Sequence, residues 1–279
     1  MAVLINQVSR ELTTLPPEVS SLVKKIKVKE ILQSYVLDFL YNHPSYRELS
    51  FYGGTCARVI YGLDRMSEDL DLDNSEDVDL SRLVEELQDY FRGRLRVEHA
   101  EVKTQGVSGT GITRYTLKLP ILSQLNLSAL DMEKIHVKLE VSQHPQHAVT
   151  QVTPAVRHSR SFVVKHFTQE SLFAGKIIAC LQRVFRKGAG PGVKGRDYYD
   201  LIWYMQQQVT PEKEMLQHDA NRPYTIESAM RALEKQVAQL SRADLSADLI
   251  NLFDTRSYIE TWLDSFHDCF HRYKLFYLE

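Results

Sequence analysis

Phe51-Tyr52-Gly53-Gly54-Thr55-Cys56-Ala57-Arg58-Val59-Ile60-Tyr61-Gly62, then Leu63-Asp64-Arg65-Met66, then Ser67-Glu68-Asp69-Leu70-Asp71-Leu72-Asp73, is the stretch that decides the fold. In its last part leucine alternates with aspartate, the period of a β-strand, so Asp69, Asp71 and Asp73 share one face and Leu70 and Leu72 the other. Carboxylates spaced about 7 Å apart along one face repel each other, and Asp is a poor strand former. Such a row calls for a cation. Two Mg2+ ions about 4 Å apart on a carboxylate pair form the two-metal centre of in-line phosphoryl or nucleotidyl transfer. Asp69 and Asp71 are therefore the candidate metal ligands, with Asp73 at the strand end; the alternative is a solvated edge strand beside an acidic loop.

Upstream, Gly53-Gly54-Thr55 reads as a strand-to-helix turn. Two glycines let the backbone approach a phosphate, the helix N-terminus offers free N–H groups to an anion, and Thr55 adds a hydroxyl. Taken alone, the turn could equally be a tight bend with a Thr N-cap. Next to the Asp row it reads as a seat for a nucleoside triphosphate, with Gly53, Gly54 and Thr55 as nucleotide-binding residues.

Working outward, Leu22 to Leu40 carries helical apolar spacing that stops at Asn42-His43-Pro44. Glu48 to Tyr52 reads as a strand, Thr55 to Tyr61 as a helix closed by Gly62, and Leu80 to Phe91 as a helix. Leu95 to Lys103, Ile112 to Leu119 and Lys134 to Val141 read as strands, the first two joined by a hairpin tip at Gly106 to Gly111. From about Ser161 the periodicity is helical: Ser171 to Arg186, Asp197 to Gln207, Pro211 to Asn221, Thr225 to Leu240, Leu245 to Phe253 and Ser257 to Tyr273. The expected architecture is α+β with a mixed sheet over residues 1–160, followed by an all-helical domain over residues 161–279, with the site in the cleft between them.

With 279 residues, 43% hydrophobic and 25% charged, the chain has the composition of an ordinary globular protein, which excludes disordered and collagen-like readings. Three widely spaced cysteines, Cys56, Cys180 and Cys269, make neither a disulfide framework nor a CxxC metal knuckle. No apolar run approaches the ~20 residues of a membrane span, and no secretory leader pattern opens the sequence, so the expectation is a cytoplasmic protein. The formal charge of −2 hides a segregation. Eleven acids and two bases lie between Asp64 and Asp89, whereas nine bases and three acids lie between Arg157 and Asp200.

In the basic segment Lys176, Arg183 and Lys187 fall near one line of a helix, beside a separate apolar stripe of Ile177, Leu181 and Val184. Cations so placed can neutralise a triphosphate or an RNA backbone; a solvated face is the plainer reading. Asp197 can cap the next helix, and Arg196 can pair with Asp197 or Asp200. Gly188 to Gly195 lacks the Gly-Lys-Ser/Thr ending of a Walker loop and reads as a linker carrying Lys194 and Arg196. A third carboxylate from a neighbouring strand is expected. Glu140 in Lys138-Leu139-Glu140-Val141 alternates correctly, with Asp131 and Glu133 as competitors. His267 and His271 are four apart but lack the third ligand and Glu-x-x-His context of a zinc site.

The run from Phe51 to Asp71 closely resembles the first motif of the AbiEii/AbiGii toxin family, nucleotidyltransferases of the DNA polymerase beta superfamily: a Gly-Gly or Gly-Ser turn, a helix, then Ser-Glu-Asp-Leu-Asp. Phe173-Ala174-Gly175-Lys176 through Arg183, then Arg196-Asp197-Tyr198-Tyr199-Asp200-Leu201, resemble the family's Lys-containing helix and Arg-Asp-x-x-Asp-Leu motif, in the same order. The resemblance implies a polymerase-beta-type domain and Mg2+-dependent transfer of a nucleoside monophosphate from an NTP to an acceptor hydroxyl. It also implies that Asp69, Asp71, Lys176 and Asp197 are catalytic, that Lys176, Arg183 and Arg196 contact the nucleotide, and that Asp69, Asp71 and Glu140 hold metal. Beyond the chemistry it implies a toxin encoded beside its antitoxin, with the tRNA acceptor end as an RNA substrate of some relatives. Two rival readings stand beside it. A transferase acting on a small-molecule hydroxyl would need no continuous basic track through Arg157, Arg160, Lys165, Arg183 and Lys187. A non-catalytic regulator would bind NTP without releasing pyrophosphate.

Overall fold

The computed structural model describes residues 2–107, 111–144, 146–183, 185–187 and 190–278. In chain order, helices α1 (Ala2–Thr13) and α2 (Ser21–Tyr41) lead to β1 (Ser50–Tyr52), α3 (Gly53–Tyr61), β2 (Asp69–Asp73) and α4 (Leu83–Asp89). Five strands follow: β3 (Glu101–Val107), β4 (Ile112–Leu119), β5 (Ile135–Ser142), β6 (Thr150–Arg157) and β7 (Arg160–Phe167). Then come α5 (Gln169–Gln182), the short strands β8 (Phe185–Lys187) and β9 (Gly190–Gly192), α6 (Gly195–Gln206), α7 (Lys213–His218), α8 (Ile226–Val237), α9 (Arg242–Leu249) and α10 (Arg256–Lys274). The fold is α+β. Among the described residues, no helix is long and apolar enough to cross a membrane.

The chain divides into two compact units, Met1–Pro145 with Thr150–His166, and Gln146–Val149 with Phe167–Glu279. The boundary expected between residues 160 and 161 falls at the first residue of β7, a strand the first unit keeps through His166. That unit holds a mixed seven-stranded sheet in the order β3-β4-β5-β2-β1-β7-β6. β2 runs antiparallel to β1 and parallel to β5. Its leucines go where the alternation sends them: Leu70 and Leu72, with Phe51, Leu139 and Val141 on flanking strands, are 0–1% exposed. Burial of each such side chain is worth roughly 1.5–3 kcal/mol, which fixes the register and puts the aspartates on the opposite face.

Two elements anchor α3, whose N-terminus carries the glycine turn. Glu30 of the buried helix α2 bonds Arg58, whose Nη1 also donates to the Leu63 carbonyl at 2.9 Å. From β6, Arg157 Nη2 donates to the Arg58 and Val59 carbonyls at 2.8 and 2.9 Å, satisfying the negative end of the helix. The β6–β7 hairpin was not foreseen. It turns on His158 and Ser159, both with positive φ (46° and 60°), and lies in the stretch between Val141 and Ser161 to which the sequence reading assigns no element.

Three further expectations need correction. The Gly53-Gly54 turn is already the first turn of α3, entered through Gly53 at φ +77°. The strand read from Leu95 begins only at Glu101, because Arg96 and His99 take positive φ and break the extended run. The helix read as Ser171 to Arg186 ends at Gln182: Arg183 is extended (ψ 116°), and Phe185–Lys187 form β8, which pairs with β9 (Arg186↔Pro191). The Gly- and Pro-containing segment beyond cannot sustain a helix, so Arg183 and Lys187 do not share a helical line with Lys176. The second unit also contains this small sheet and is not purely helical.

In the second unit α6 approaches α9 so closely that a Cβ on Gly195 would stand 1.9 Å from the Leu245 carbonyl oxygen. That contact sets the start of α6, where Arg196, Asp197 and Asp200 lie.

Candidate active site

In the first unit, strand register builds a polar row across four strands. Tyr52 of β1 pairs with Asp71, Asp71 with Glu140 of β5, and Glu140 with Arg114 of β4. One step along β2, Asp69 pairs with Lys138, whose Nζ lies 3.8 Å from Asp69 Oδ1. Since facing residues on adjacent strands present side chains to the same side, the Asp row gains Glu140 as its neighbour. Arg114 donates Nε and Nη2 to one oxygen of Glu140, Oε1, at 2.8 and 2.6 Å. This charge-assisted contact fixes the carboxylate's orientation.

Gly53 completes the cradle. A Cβ there would stand 2.0 Å from Asp71 Oδ2, and one on Gly54 would stand 2.6 Å from Arg65 Nη2. Gly53 is thus required twice, by its left-handed φ and by the carboxylate pressed against it. The Tyr52 side chain at the N-cap makes no capping bond to α3; the first N–H groups of a helix are the kind that bind a phosphate. Thr55 is buried: its Oγ1 donates to the Asp69 carbonyl and lies 2.8 Å from the Ser67 hydroxyl, tying the turn to β2. Gly53→Ala is expected to cost about 1–3 kcal/mol in stability and, by displacing Asp71, about 10²-fold in turnover. Thermal unfolding and pyrophosphate release measured together check this; a folded variant with wild-type turnover would refute the cradle.

Asp73 is 3% exposed. Its Oδ2 accepts the Ser75 N–H at 3.3 Å, while Oδ1 has no partner among the described residues. Burial, then Asp71, Asp73 and Glu140, push the Tyr52 phenol well above its ordinary value. The donors on this face are hard carboxylate oxygens, the set a small divalent cation takes. Among the described residues no three Asp, Glu, His or Cys side chains close into a cage. That suits a cation held by one or two carboxylates and completed by substrate phosphates.

In the second unit, Lys176 of α5 reaches two carboxylates on one face of α6: Asp197 Oδ1 at 2.8 Å and Asp200 Oδ2 at 2.9 Å. Arg183, at the α5 C-cap, meets Asp197 Oδ2 at 2.5 Å. Burial would raise the Asp197 carboxyl, but Lys176 and Arg183 overrule it and hold the group well below the usual carboxylate range. A general base works best near the operating pH, so Asp197 is suited to orienting Lys176 rather than to accepting a proton. Arg196 pairs with Asp248 of α9 at 3.8 Å rather than with Asp197 or Asp200. Burial raises the Asp248 carboxyl against Arg196 and the backbone N–H groups of Arg196 and Gly195.

The structure thus brings Gly53, Gly54, Thr55, Asp69, Asp71 and Glu140 together in the first unit, and Lys176, Arg183 and Asp197 in the second. Sequence reading missed Tyr52, Arg114 and Asp248 as partners of these residues. Only the strand pairing and the packing of α9 on α6 reveal them. Asp200 was visible in the Arg-Asp-x-x-Asp spacing, since i and i+3 share a helix face.

A family model described as nucleotidyl transferase AbiEii toxin, type IV TA system, matches residues 38–272 and so spans both clusters. The chain belongs to the AbiEii toxin family. As an AbiEii-family protein it is a nucleotidyltransferase, the toxin of a toxin–antitoxin system, with an NTP as substrate, a divalent metal as the family's cofactor and an antitoxin as partner. The crystal structure of an inferred nucleotidyltransferase from H. pylori superposes with a TM-score of 0.50 over 88% of this AbiEii-family chain and 92% of its own. At 17% identity that likeness is one of fold. No curated protein matches the chain in sequence.

Proposed function

We propose that this protein transfers a nucleoside monophosphate from an NTP to an RNA hydroxyl, the acceptor end of a tRNA, in a Mg2+-dependent reaction. The observation that carries the reading is the contact of Gly53 with Asp71. A helix N-terminus suited to a triphosphate begins against a carboxylate suited to its metal. When bound, Mg2+ would polarise the phosphoryl oxygens and neutralise charge on the leaving pyrophosphate. Asp69 and Asp71 would hold it, with Glu140, pinned by Arg114 through Oε1, beside them as the third carboxylate of the row. The acceptor hydroxyl gives up its proton to Glu140 or to water, its oxygen forms a bond to the α-phosphorus, the bond from that phosphorus to the bridging oxygen breaks, and pyrophosphate departs. Lys176, held by Asp197 and Asp200, supplies positive charge to the phosphates.

One observation favours a small-molecule acceptor instead. The basic track expected through Arg157, Arg160 and Lys165 is consumed inside the first unit. Arg157 caps α3, Lys165 meets Glu76 at 3.1 Å, and the Arg160 guanidinium lies 4.6 Å from the Tyr35 ring centroid. Incubation with tRNA, each labelled NTP and Mg2+ separates the readings. Label is expected in full-length tRNA, at its 3′ end, with stoichiometric pyrophosphate. Pyrophosphate release with label confined to low-molecular-mass products would reject the RNA reading; NTP binding without pyrophosphate would reject both.

A further inference from the structure

In the second unit, a surface pocket of about 390 Å³ lies where the end of α5 meets α8. Its wall carries three cations, Arg222, Arg231 and Lys235, and no carboxylate is among its described lining residues. Ser228, Arg231 and Lys235 recur at i, i+3 and i+7, one face of α8. Arg222 is pre-organised: its guanidinium lies 4.9 Å from the Tyr224 ring centroid, and its Nε donates to the Tyr224 hydroxyl at 2.8 Å. That hold leaves its two terminal nitrogens as a planar fork, the geometry that matches a phosphate. Arg231 gives Nε and Nη2 to Glu227, whereas Lys235 forms no ion pair among the described residues. Arg222 and Lys235 thus carry charge with no carboxylate partner among the described residues, while Arg231 shares its charge with Glu227.

A second feature narrows the ligand. Gln236 lines the same wall and donates Nε2 to the Leu181 carbonyl at 3.2 Å, but its Oε1 is buried with no partner among the described residues. A phosphodiester has no proton to give an acceptor. A ribose 2′-hydroxyl donates. We propose that this pocket binds the ribose–phosphate backbone of the RNA acceptor: Arg222, Arg231 and Lys235 take phosphates, and Gln236 Oε1 accepts a 2′-hydroxyl. The inference rests on the RNA reading above and gives that RNA a docking site built from residues other than those assigned to the chemistry.

The test is a binding titration with no NTP and with EDTA present, so that it is independent of catalysis. The full chain is titrated against a labelled acceptor-stem oligoribonucleotide and its DNA counterpart across a salt series. Replacing Arg222, Arg231 and Lys235 together by Gln is expected to raise Kd for RNA about tenfold or more. It should also flatten the log–log salt slope by about 2, from three contacts at about 0.7 each. Gln236→Leu is expected to erase a preference for RNA over DNA while leaving DNA affinity in place. The three cations are exposed, so folding should survive, and Lys235→Glu alone repeats the charge test at a single surface position. A triple variant that keeps the wild-type Kd and salt slope overturns the pocket. Equal wild-type affinity for RNA and DNA, unaltered by Gln236→Leu, overturns the hydroxyl assignment. A wild-type chain that binds no RNA fails at the RNA reading itself and takes this inference with it.

Discussion

Replacing Asp71 by Asn is expected to lower pyrophosphate release by about 10³-fold, or about 4 kcal/mol of transition-state stabilisation, without loss of fold. Asn keeps the shape that Gly53 packs against and removes only the charge. Asp71 stands at the centre of the site, with Tyr52 and Glu140 as cross-strand neighbours and Asp69 and Asp73 two residues away on the same face. Such a row is held together against its own repulsion, so neutralising its middle member is expected to leave the melting temperature unchanged or raise it. Tyr52 supplies an independent readout. Burial raises its phenol first, but Asp71 is the largest of the carboxylates adding to the shift, so the variant's tyrosine titration should move down. Steady-state pyrophosphate release, thermal unfolding and ultraviolet titration of one preparation decide the matter. Turnover above a tenth of wild type would place the chemistry elsewhere; a collapsed melting temperature would make Asp71 a structural residue.

Why this site was so readable is a matter of sequence distance. Asp69, Asp71 and Asp73 lie within one strand, and alternation alone assigns their face; the glycine turn is local too. What joins them is not. Asp71 meets Glu140 and Glu140 meets Arg114 only through strand order, and no periodicity in Ile112–Leu119 says which strand Arg114 will lie beside. The β6–β7 hairpin escaped for a different reason. His158 and Ser159 hold the left-handed conformations usually signalled by Asn and Gly, and β6 is an edge strand carrying Pro154, whose apolar face of Val152, Pro154 and Val156 is exposed rather than buried. The same hairpin supplies Arg157 to α3, so a feature absent from the sequence reading supports the best-read motif.

Charge counting gave the right contrast for partly the wrong residues. In the acidic segment Glu68 is paired with Lys29, Glu76 with Lys165, and Glu86 with Arg82, His43 and the Tyr46 hydroxyl. The carboxylates of β2 are what distinguish that segment from an ordinary solvated surface. The basic segment is reduced in the same way by Arg157, Arg160 and Lys165. The cations without local carboxylates that form a pocket, Arg222 and Lys235, lie outside the counted window. A helix face at i and i+4, with its partner thirteen residues upstream of Lys235, does not stand out as a run of charge.

In the second unit the largest loss is expected from Lys176→Met. Removing the lysine leaves Asp197 and Asp200, 5% and 1% exposed, facing each other without their shared cation. Breaking a buried pair in this way costs about 3–5 kcal/mol, whereas removing the whole charged group can be close to neutral. Adding Asp197→Asn and Asp200→Asn to Lys176→Met should therefore recover most of the stability, and activity should stay lost if Lys176 serves the phosphates. The pH dependence gives the sign. Asp197 has a folded-state pKa below its ordinary value near 3.8, so its contribution is full above that value and fades as the pH falls below it. In Lys176→Met the two carboxylates repel, and protonation relieves them, so the stability gap to wild type should narrow as the pH falls from 7 toward 4. Chemical denaturation at both pH values, with pyrophosphate release on the same variants, separates the two roles. Recovery of activity along with stability in the triple variant would make Lys176 a structural counter-ion; an unchanged gap at pH 4 would mean the carboxylates are not the source of the loss.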